Sequence, residues 1–412
     1  MRNLLARVPP AGWTLVVQGI ELVASIAATI LVGRVLGTEA MGSFAFALNL
    51  AGLLAIFLLF GTGEIAIQMY QDAENTSPRA VYGASLIVVA CGSLACLAVG
   101  TAVVFGMGLS FESGLATYIA LVTLLVNGLA ATLNNAILAF DAAGKDVGNI
   151  VVSRAVLLAG VVAAGLAGSL IGVLCAYVAA AIVLSALRAR LVGRHLFPVR
   201  PVFDGEVTRA LWHRGRQIGV GSIFGTISNR SDMLLLEGMT DTTQVGLYGA
   251  SYRIINGVQA GAVAVSTALY PGLLRAIQAG KMTRTRRLYL AFPLAVAAFL
   301  IAIAFTVSDP LVTLLLGDDF APARPVFKLL LLASACQTVL MFLAKYLIAR
   351  GREGVMPTAQ AVSAATNLTL NVIFIPSILA LGAAWATLAA EVVLLLIYGV
   401  VLVRLGRAAV QR

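Results

Sequence analysis

Long apolar segments alternate with short polar ones along the whole of the 412-residue chain. A membrane-spanning helix needs roughly 20 mostly apolar residues, and a window of that length predicts spans throughout the sequence. The pattern therefore predicts an all-α polytopic membrane protein of twelve spans, at residues 14–36, 42–61, 80–105, 115–138, 149–168, 170–192, 216–237, 246–271, 286–306, 326–348, 356–376 and 381–403.

Two uncharged segments are too long to be single spans. Residues 155–187 would form a helix of about 50 Å, whereas the hydrocarbon core is about 30 Å thick. This segment must fold back, and the glycine-rich stretch 165–172 predicts the turn. The uncharged segment 354–390 must likewise hold two spans, with a break near Pro376, since proline removes a backbone donor.

Composition and charge agree with a membrane protein. Only 11% of the residues are charged and 60% are hydrophobic, whereas a soluble domain carries about 25% charge. The net charge of +10 is unevenly placed: 21 of the 28 Lys and Arg residues lie on one side of the predicted topology. Three lie on the other side, and four lie within spans. This asymmetry predicts a multi-pass membrane protein with both termini cytoplasmic, and it argues against nucleic-acid binding.

The chain divides in the middle. Its richest basic stretch separates six spans from six, which predicts a first bundle at 1–193, a cytoplasmic linker at 194–215 and a second bundle at 216–412. An internal sequence similarity supports this division, because the stretch 35–45 resembles the stretch 239–249 and aligns Gly42 with Gly246. Such halves are expected to be parallel repeats, related by a pseudo-twofold axis along the membrane normal, with a binding site between them.

Three charged residues, Arg230, Asp232 and Arg253, interrupt the apolar runs of spans 7 and 8. Each costs at least about 2.5–3.5 kcal/mol at bilayer depth unless it faces a wet cavity or a partner. Arg253 could snorkel to the interface, or its planar guanidinium could bind a phosphate. Arg230 and Asp232 point about 200° apart on a helix, so a structural interhelical pair and a functional role both stay open.

Three carboxylates lie near bilayer depth, at Glu21, Glu64 and Glu391. Since burial favours the neutral carboxyl, we hypothesise that one of them takes up a proton in one conformational state. Arg154 and Lys345 lie near the cytoplasmic ends of their spans, where anchoring at the interface is the simpler interpretation.

The sequence contains no pattern of a metal site, a cofactor site or a catalytic site. It lacks H-E-x-x-H, G-x-S-x-G and the phosphate-binding G-x-x-x-x-G-K-[ST] motif. The four cysteines lie singly in apolar runs, where they behave as small apolar residues. We therefore predict a transporter without metal or cofactor rather than an enzyme.

Four stretches carry a resemblance to a known family. They are R-V-L-G-T-E-A-M-G-S-F-A-F-A (34–47), R-S-D-M-L-L-L-E-G with V-G-L-Y-G-A-S-Y-R-I (230–254), L-L-L-G-D-D-F-A-P-A (314–323) and N-L-T-L-N-V-I-F-I-P with G-A-A-W-A-T-L-A-A-E (367–391). In order and spacing they resemble the bacterial polysaccharide-biosynthesis flippases, within the superfamily of multidrug, oligosaccharidyl-lipid and polysaccharide exporters.

The resemblance implies two six-helix bundles that give alternating access to a central cationic cavity. It also implies an undecaprenyl-diphosphate-linked oligosaccharide as substrate, within a surface polysaccharide pathway such as that of lipopolysaccharide or exopolysaccharide. Membrane lipids, a polysaccharide polymerase and chain-length proteins are the implied partners.

The resemblance also suggests roles for individual residues. Arg253 matches a cavity-facing arginine of the related lipid II flippases, and Arg230 would hold the diphosphate with it. Asp232 would orient one arginine or couple to an ion. The first span lacks the basic residues of those relatives. The candidate sugar contacts are Asn229, Tyr252, Asn256 and Gln259.

Two other functions remain open from the sequence. An ion-coupled multidrug or metabolite antiporter of the same superfamily would carry a more aromatic and anionic cavity. A membrane polymerase or ligase would need a long external loop with catalytic groups, which the predicted topology lacks.

The proton-coupling hypothesis is testable by replacing Glu21, Glu64 and Glu391 one at a time with Gln. We expect the coupling residue's variant to lose the pH dependence of transport, because an amide cannot titrate, while the other two variants keep it. The measurement is transport against external pH. Unchanged pH dependence in all three variants would exclude these carboxylates.

Overall fold

The computed structural model describes residues 10–72, 76–278, 283–350 and 352–410, and over these ranges the protein contains helices and no strands. This confirms the predicted all-α membrane fold. The α-helices are α1 (Pro10–Leu59), α2 (Thr62–Gln71), α3 (Pro78–Gly106), α4 (Phe111–Ala139), α5 (Ala143–Leu166), α6 (Leu170–His195), α7 (Gly205–Met239), α8 (Thr242–Gln278), α9 (Thr283–Thr306), α10 (Ser308–Leu316), α11 (Arg324–Ala349) and α12 (Met356–Val410). Two short 3-10 helices lie at Asp318–Ala323 and Glu353–Val355.

Two helices are far longer than one membrane crossing, and each is broken near its middle. Helix α1 has 50 residues and bends at Gly37, whose φ of 79° and ψ of −173° are not helical. Helix α12 has 55 residues and breaks at Ile378 and Leu379. Each therefore supplies two of the predicted spans. The second break lies two residues beyond the predicted Pro376, which itself remains inside the helix.

Length and composition identify seven segments within the described residues that could cross a membrane. They are Val16–Leu59, Pro78–Gly106, Phe111–Ala139, Ala143–Leu166, Leu170–His195, Asp318–Ile348 and Met356–Arg404. An eighth comes from Ala291–Thr306 with Ser308–Leu316, a pair bent by 79°. Helices α7 and α8, which coincide with predicted spans 7 and 8, are not among them, and both carry charged residues in their interiors. The predicted turn within 165–172 is confirmed, because α5 ends at Leu166 and α6 begins at Leu170.

The chain forms two compact units. The first contains 1–36 and 43–230, and the second contains 37–42 and 231–412. The boundary therefore falls inside α7, directly after Arg230. The division into bundles at 193 and 216, and their pseudo-twofold relation, remain predictions.

In the first unit, the opening half of α1 runs parallel to α5. Near the start, a methyl group added at Gly144 would lie 3.2 Å from Nε1 of Trp13. Further along, Arg154 pairs with Glu21, and Gly165 lies against Val35. The successive contacts advance in the same direction on both helices. Both elements therefore cross their unit in the same sense, as spans 1 and 5 of the predicted topology must.

The segment that follows α6 packs on this first unit. The Val202 amide donates to the Arg79 carbonyl over 3.1 Å, and Nε of Arg79 donates to the Arg200 carbonyl over 3.0 Å. Phe197 stacks on the buried Tyr70, with ring centroids 5.8 Å apart. Part of the predicted linker is thus fixed to the first unit by backbone hydrogen bonds and an aromatic core.

In the second unit, helix α11 packs against α8, α9 and α12. The short segment 37–42 also belongs to this unit, and it meets the start of α8 in a reciprocal contact. A methyl group added at Gly42 would lie 1.9 Å from the Thr242 carbonyl oxygen, and one added at Gly246 would lie 2.1 Å from that of Thr38. Gly42 and Gly246, and likewise Thr38 and Thr242, lie 204 positions apart, the same separation as the two similar stretches 35–45 and 239–249. Glycine at both positions lets the two backbones touch, which is the common packing device of membrane helices.

We predict that Gly246→Ala destabilises the protein by about 1–3 kcal/mol, because the added methyl meets a backbone carbonyl that cannot rotate away. The measurement is the thermal unfolding midpoint of the purified protein. Gly261→Ala is the matched control on the same helix, since its added methyl meets no atom within 4 Å. Equal midpoints for the two variants would contradict this contact.

Candidate functional site

Arg230, the last residue of the first unit, is held by a neutral partner. Its Nη1 donates to Oδ1 of Asn49 over 3.2 Å, and Nδ2 of Asn49 donates back to the Arg230 carbonyl over 3.1 Å. Gly52, one turn further along α1, leaves the space for the guanidinium, because a methyl group there would lie 2.4 Å from Nη1. No carboxylate within the described residues pairs with Arg230. An amide orients a guanidinium without cancelling its charge, so the charge remains available to an anion.

Asp232 lies in a buried polar cluster of the second unit. The hydroxyl of Tyr248, which is fully buried, donates to Oδ2 of Asp232 and lies 3.3 Å from Oγ1 of Thr387. The amide of Met233 donates to Oδ1 over 3.0 Å. Both carboxylate oxygens are thus satisfied, as a buried carboxylate requires. Arg230 and Asp232 therefore contact different helices, in keeping with their predicted angular separation.

The tyrosine that binds Asp232 also packs against a second tyrosine of α8. Tyr252 follows Tyr248 by one turn of α8, and the two rings stack with centroids 5.8 Å apart at 15°. Arg253 is the next residue along the chain and is half-buried. The buried Asp232 thus fixes the ring of Tyr248, and that ring supports the ring of Tyr252.

The other candidate sugar contacts differ in exposure. Asn256 is exposed on α8. Gln259 is buried, and its Nε2 donates to the Ser334 carbonyl over 2.7 Å, which gives it a packing contact between α8 and α11. The side chain of Asn229 lies outside the described residues.

The carboxylates proposed for ion coupling have different surroundings. Glu21 forms a 2.8 Å ion pair with Nη2 of Arg154. Glu391 accepts a hydrogen bond from Nε2 of Gln337 over 3.2 Å. The side chain of Glu64 lies outside the described residues. Arg154, which the sequence suggested as an interfacial anchor, also joins α5 to α1 through this ion pair.

A second ion pair in the first unit was not predicted. Nε and Nη2 of Arg188 each lie 2.8 Å from Oδ2 of Asp146, and both residues are buried. Arg188 lies inside α6, within the predicted span 170–192. Sequence spacing gives no signal for this pair, because the residues lie 42 positions apart on different helices. Over the described ranges no group of three or more His, Cys, Asp or Glu residues could hold a metal ion.

Comparison with known protein families settles the membership of the chain. Residues 10–277 match the model of the family described as polysaccharide biosynthesis protein. The chain belongs to the polysaccharide biosynthesis protein family. The matched range includes Arg230, Asp232 and Arg253, so the candidate residues of this family member lie inside the span of the family model. A comparison with curated proteins found no match.

Solved structures share the fold of this family member. The lipid II flippase MurJ in an inward closed conformation matches with a TM-score of 0.73 at 13% identity, over 93% of this chain and 86% of that one. An inward-facing multidrug resistance MATE family transporter of the MOP superfamily matches with a TM-score of 0.67 at 15% identity, over 95% and 96%. The MATE multidrug transporter DinF-BH matches with a TM-score of 0.63 at 16% identity, over 98% and 96%. The chain is therefore a multi-pass membrane protein with the fold common to these flippases and transporters.

We predict that Gly52→Ala displaces Arg230 without unfolding the protein. The added methyl meets the guanidinium at 2.4–2.9 Å, and this group is the far end of a flexible side chain. Binding of inorganic pyrophosphate should therefore weaken about tenfold, the effect of one hydrogen bond to a charged group, while the thermal midpoint stays close to that of Gly148→Ala. Gly148 is the control in the same unit, because nothing lies within 4 Å of its added methyl. Unchanged pyrophosphate affinity would contradict a role of the Arg230 guanidinium, in its position against Gly52, in binding the anion.

Proposed function

We propose that this protein is a flippase that moves an undecaprenyl-diphosphate-linked oligosaccharide repeat unit across the bacterial inner membrane for surface polysaccharide assembly. Family membership supports the pathway, and the fold shared with flippases and exporters supports the transport step. In this proposal both termini lie in the cytoplasm. The protein acts by alternating access and without a catalytic step of its own.

The observation that carries the proposal is the uncompensated charge of Arg230. Asn49 and Gly52 position the guanidinium but leave it positive, although a charge at this depth is costly. A site that only needed stability would pair this arginine with a carboxylate, as the first unit does for Arg154 and Arg188. A diphosphate supplies the missing negative charge, and the planar fork of arginine suits its oxygens.

Arg253 is the second proposed ligand of the diphosphate. It is half-buried and directly follows Tyr252 in α8, one residue after the stacked tyrosine pair. Asp232 would act as a positioning residue, because its hydrogen bond from Tyr248 fixes the ring on which Tyr252 stacks. Tyr252 and Asn256 remain the candidate sugar contacts on α8, whereas the packing role of Gln259 removes it from the proposal.

An ion-coupled multidrug antiporter is the second candidate, because MATE transporters match this fold about as well as the lipid II flippase does. The phenotypes of a gene deletion and of expression in another strain distinguish the two functions. A flippase deletion removes surface polysaccharide, whereas expression of a multidrug exporter confers resistance to a toxic cationic dye.

We predict that Arg253→Ala abolishes complementation of a surface-polysaccharide deletion strain, because the variant loses the cation that binds the diphosphate. Arg253→Lys should retain a small part of the activity, since it keeps the charge but not the bidentate geometry. The measurement is the amount of surface polysaccharide at matched protein levels.

The matched control is Arg350→Ala, which removes another arginine of the second unit, whose guanidinium carbon lies 5.8 Å from the ring centroid of Tyr346. This variant should complement fully. Full activity of Arg253→Ala would exclude the proposed diphosphate role, and dye resistance without any polysaccharide defect would favour the antiporter.

A further inference from the structure

The first unit contains a partly open cavity, lined by both polar and apolar residues, that the proposed diphosphate site does not use. Its volume is about 370 Å³, and it lies among α1, α4, α5 and α6. This volume falls within the range of about 300–1,000 Å³ that small-molecule sites occupy. Its polar lining consists of Gln18, Glu21, Asn127, Asn134, Asp146, Arg154 and Arg188.

The four charged residues of this lining form two ion pairs, so that their charges cancel. Arg188 is fully engaged, because Nε and Nη2 contact Asp146 and Nη1 donates to the Ala130 carbonyl over 3.3 Å. This pair forms a rigid wall. The pair of Arg154 with Glu21 is different, because a single nitrogen makes the 2.8 Å contact and both side chains stay partly exposed. Nε of Arg154 is buried and makes no hydrogen bond to another described residue.

Three carboxamides complete the lining, and none of them forms a side-chain hydrogen bond with another described residue. Asn127 and Asn134 lie seven residues apart on α4, and therefore project from nearly the same face two turns apart. Between them stand only the small Ala130 and Ala131, which open the space in front of that face. Gln18 lies on α1, one turn before Glu21.

We propose that this cavity is a subsite for a neutral, hydroxyl-rich ring, namely a sugar of the transported lipid-linked oligosaccharide. The inference rests on the proposed function for the source of the ring. Each carboxamide offers both donors and an acceptor, as sugar hydroxyls require. The net charge of the lining is zero, because two arginines face two carboxylates. A free anion would have to displace Glu21 or Asp146, and a cation would have to displace an arginine.

The test is saturation-transfer NMR on the full-length protein in lipid nanodiscs, with glucose, galactose and N-acetylglucosamine as separate probes. Maltoside detergents are avoided because their headgroup is itself a sugar. At least one of these neutral sugars should bind the wild-type protein. Asn127→Ala and Gln18→Ala should each weaken that binding about fivefold, which is the effect of one hydrogen bond.

Two further variants separate the cavity from general damage. Ala131→Leu fills the space between the two asparagines and should abolish sugar binding without removing a polar group. Leu129→Ala truncates an exposed residue on the same helix outside the cavity lining and should leave binding unchanged. Absence of binding by all three sugars, or binding that survives Ala131→Leu, would overturn the proposal. Displacement of the bound sugar by sodium pyrophosphate at constant ionic strength would also overturn it, since the cavity would then be an anion site.

The outcome is separable from that of the proposed flippase function, because free sugars carry no lipid or diphosphate. Sugar binding in the cavity with full complementation by Arg253→Ala would contradict the diphosphate role and leave this subsite standing. Loss of complementation by Arg253→Ala without any sugar binding would contradict the subsite alone.

Discussion

A charged group buried among helices must find a protein partner that replaces water, and this requirement shapes the polar interior of the molecule. The partner can be a counterion, as for Arg188 and Asp146, which then form a closed pair. It can instead be a neutral group, as Asn49 is for Arg230. A counterion neutralises the charge, whereas a neutral partner leaves it available to a ligand. The choice of partner therefore separates residues that hold helices together from residues that can act on a ligand.

The buried Asp232 shows what a carboxylate can do through neutral partners. Its oxygens accept hydrogen bonds from the Tyr248 hydroxyl and from a backbone amide. One consequence is mechanical, because the hydrogen bond fixes a ring on which Tyr252 stacks. A buried carboxylate thus organises a pair of stacked aromatic rings on α8.

Glycine contributes to this architecture in two different ways. At Gly42 and Gly246 the absent side chain lets backbone meet backbone, so that a methyl group would meet a rigid carbonyl. At Gly52 the absent side chain makes room for a flexible guanidinium. The sequence does not distinguish these cases, since all three residues are glycines in apolar helices. Only the identity of the facing atom shows which glycine serves packing and which one serves a functional side chain.

The sequence by itself determined the membrane class, most helix positions and the approximate places at which the long segments break. These features depend on local composition: a run of apolar residues fixes the length of a span, and glycine or proline fixes an interruption. The sequence also identified Arg230, Asp232 and Arg253 as exceptions, because charge in an apolar run is visible without a structure. It did not determine their partners, and it did not predict the ion pairs of Arg154 with Glu21 and of Arg188 with Asp146.

Tertiary structure decided those partners because they lie far apart in the chain. Arg154 meets Glu21 across 133 positions, and Arg230 meets Asn49 across 181. No periodicity relates such residues, and only helix packing brings them within 3.2 Å of each other. The cavity of the first unit arises in the same way, since its carboxamides come from helices whose register the sequence does not encode locally. Local composition thus determined where the helices run, whereas packing decided which charges are neutralised and which remain available to a ligand.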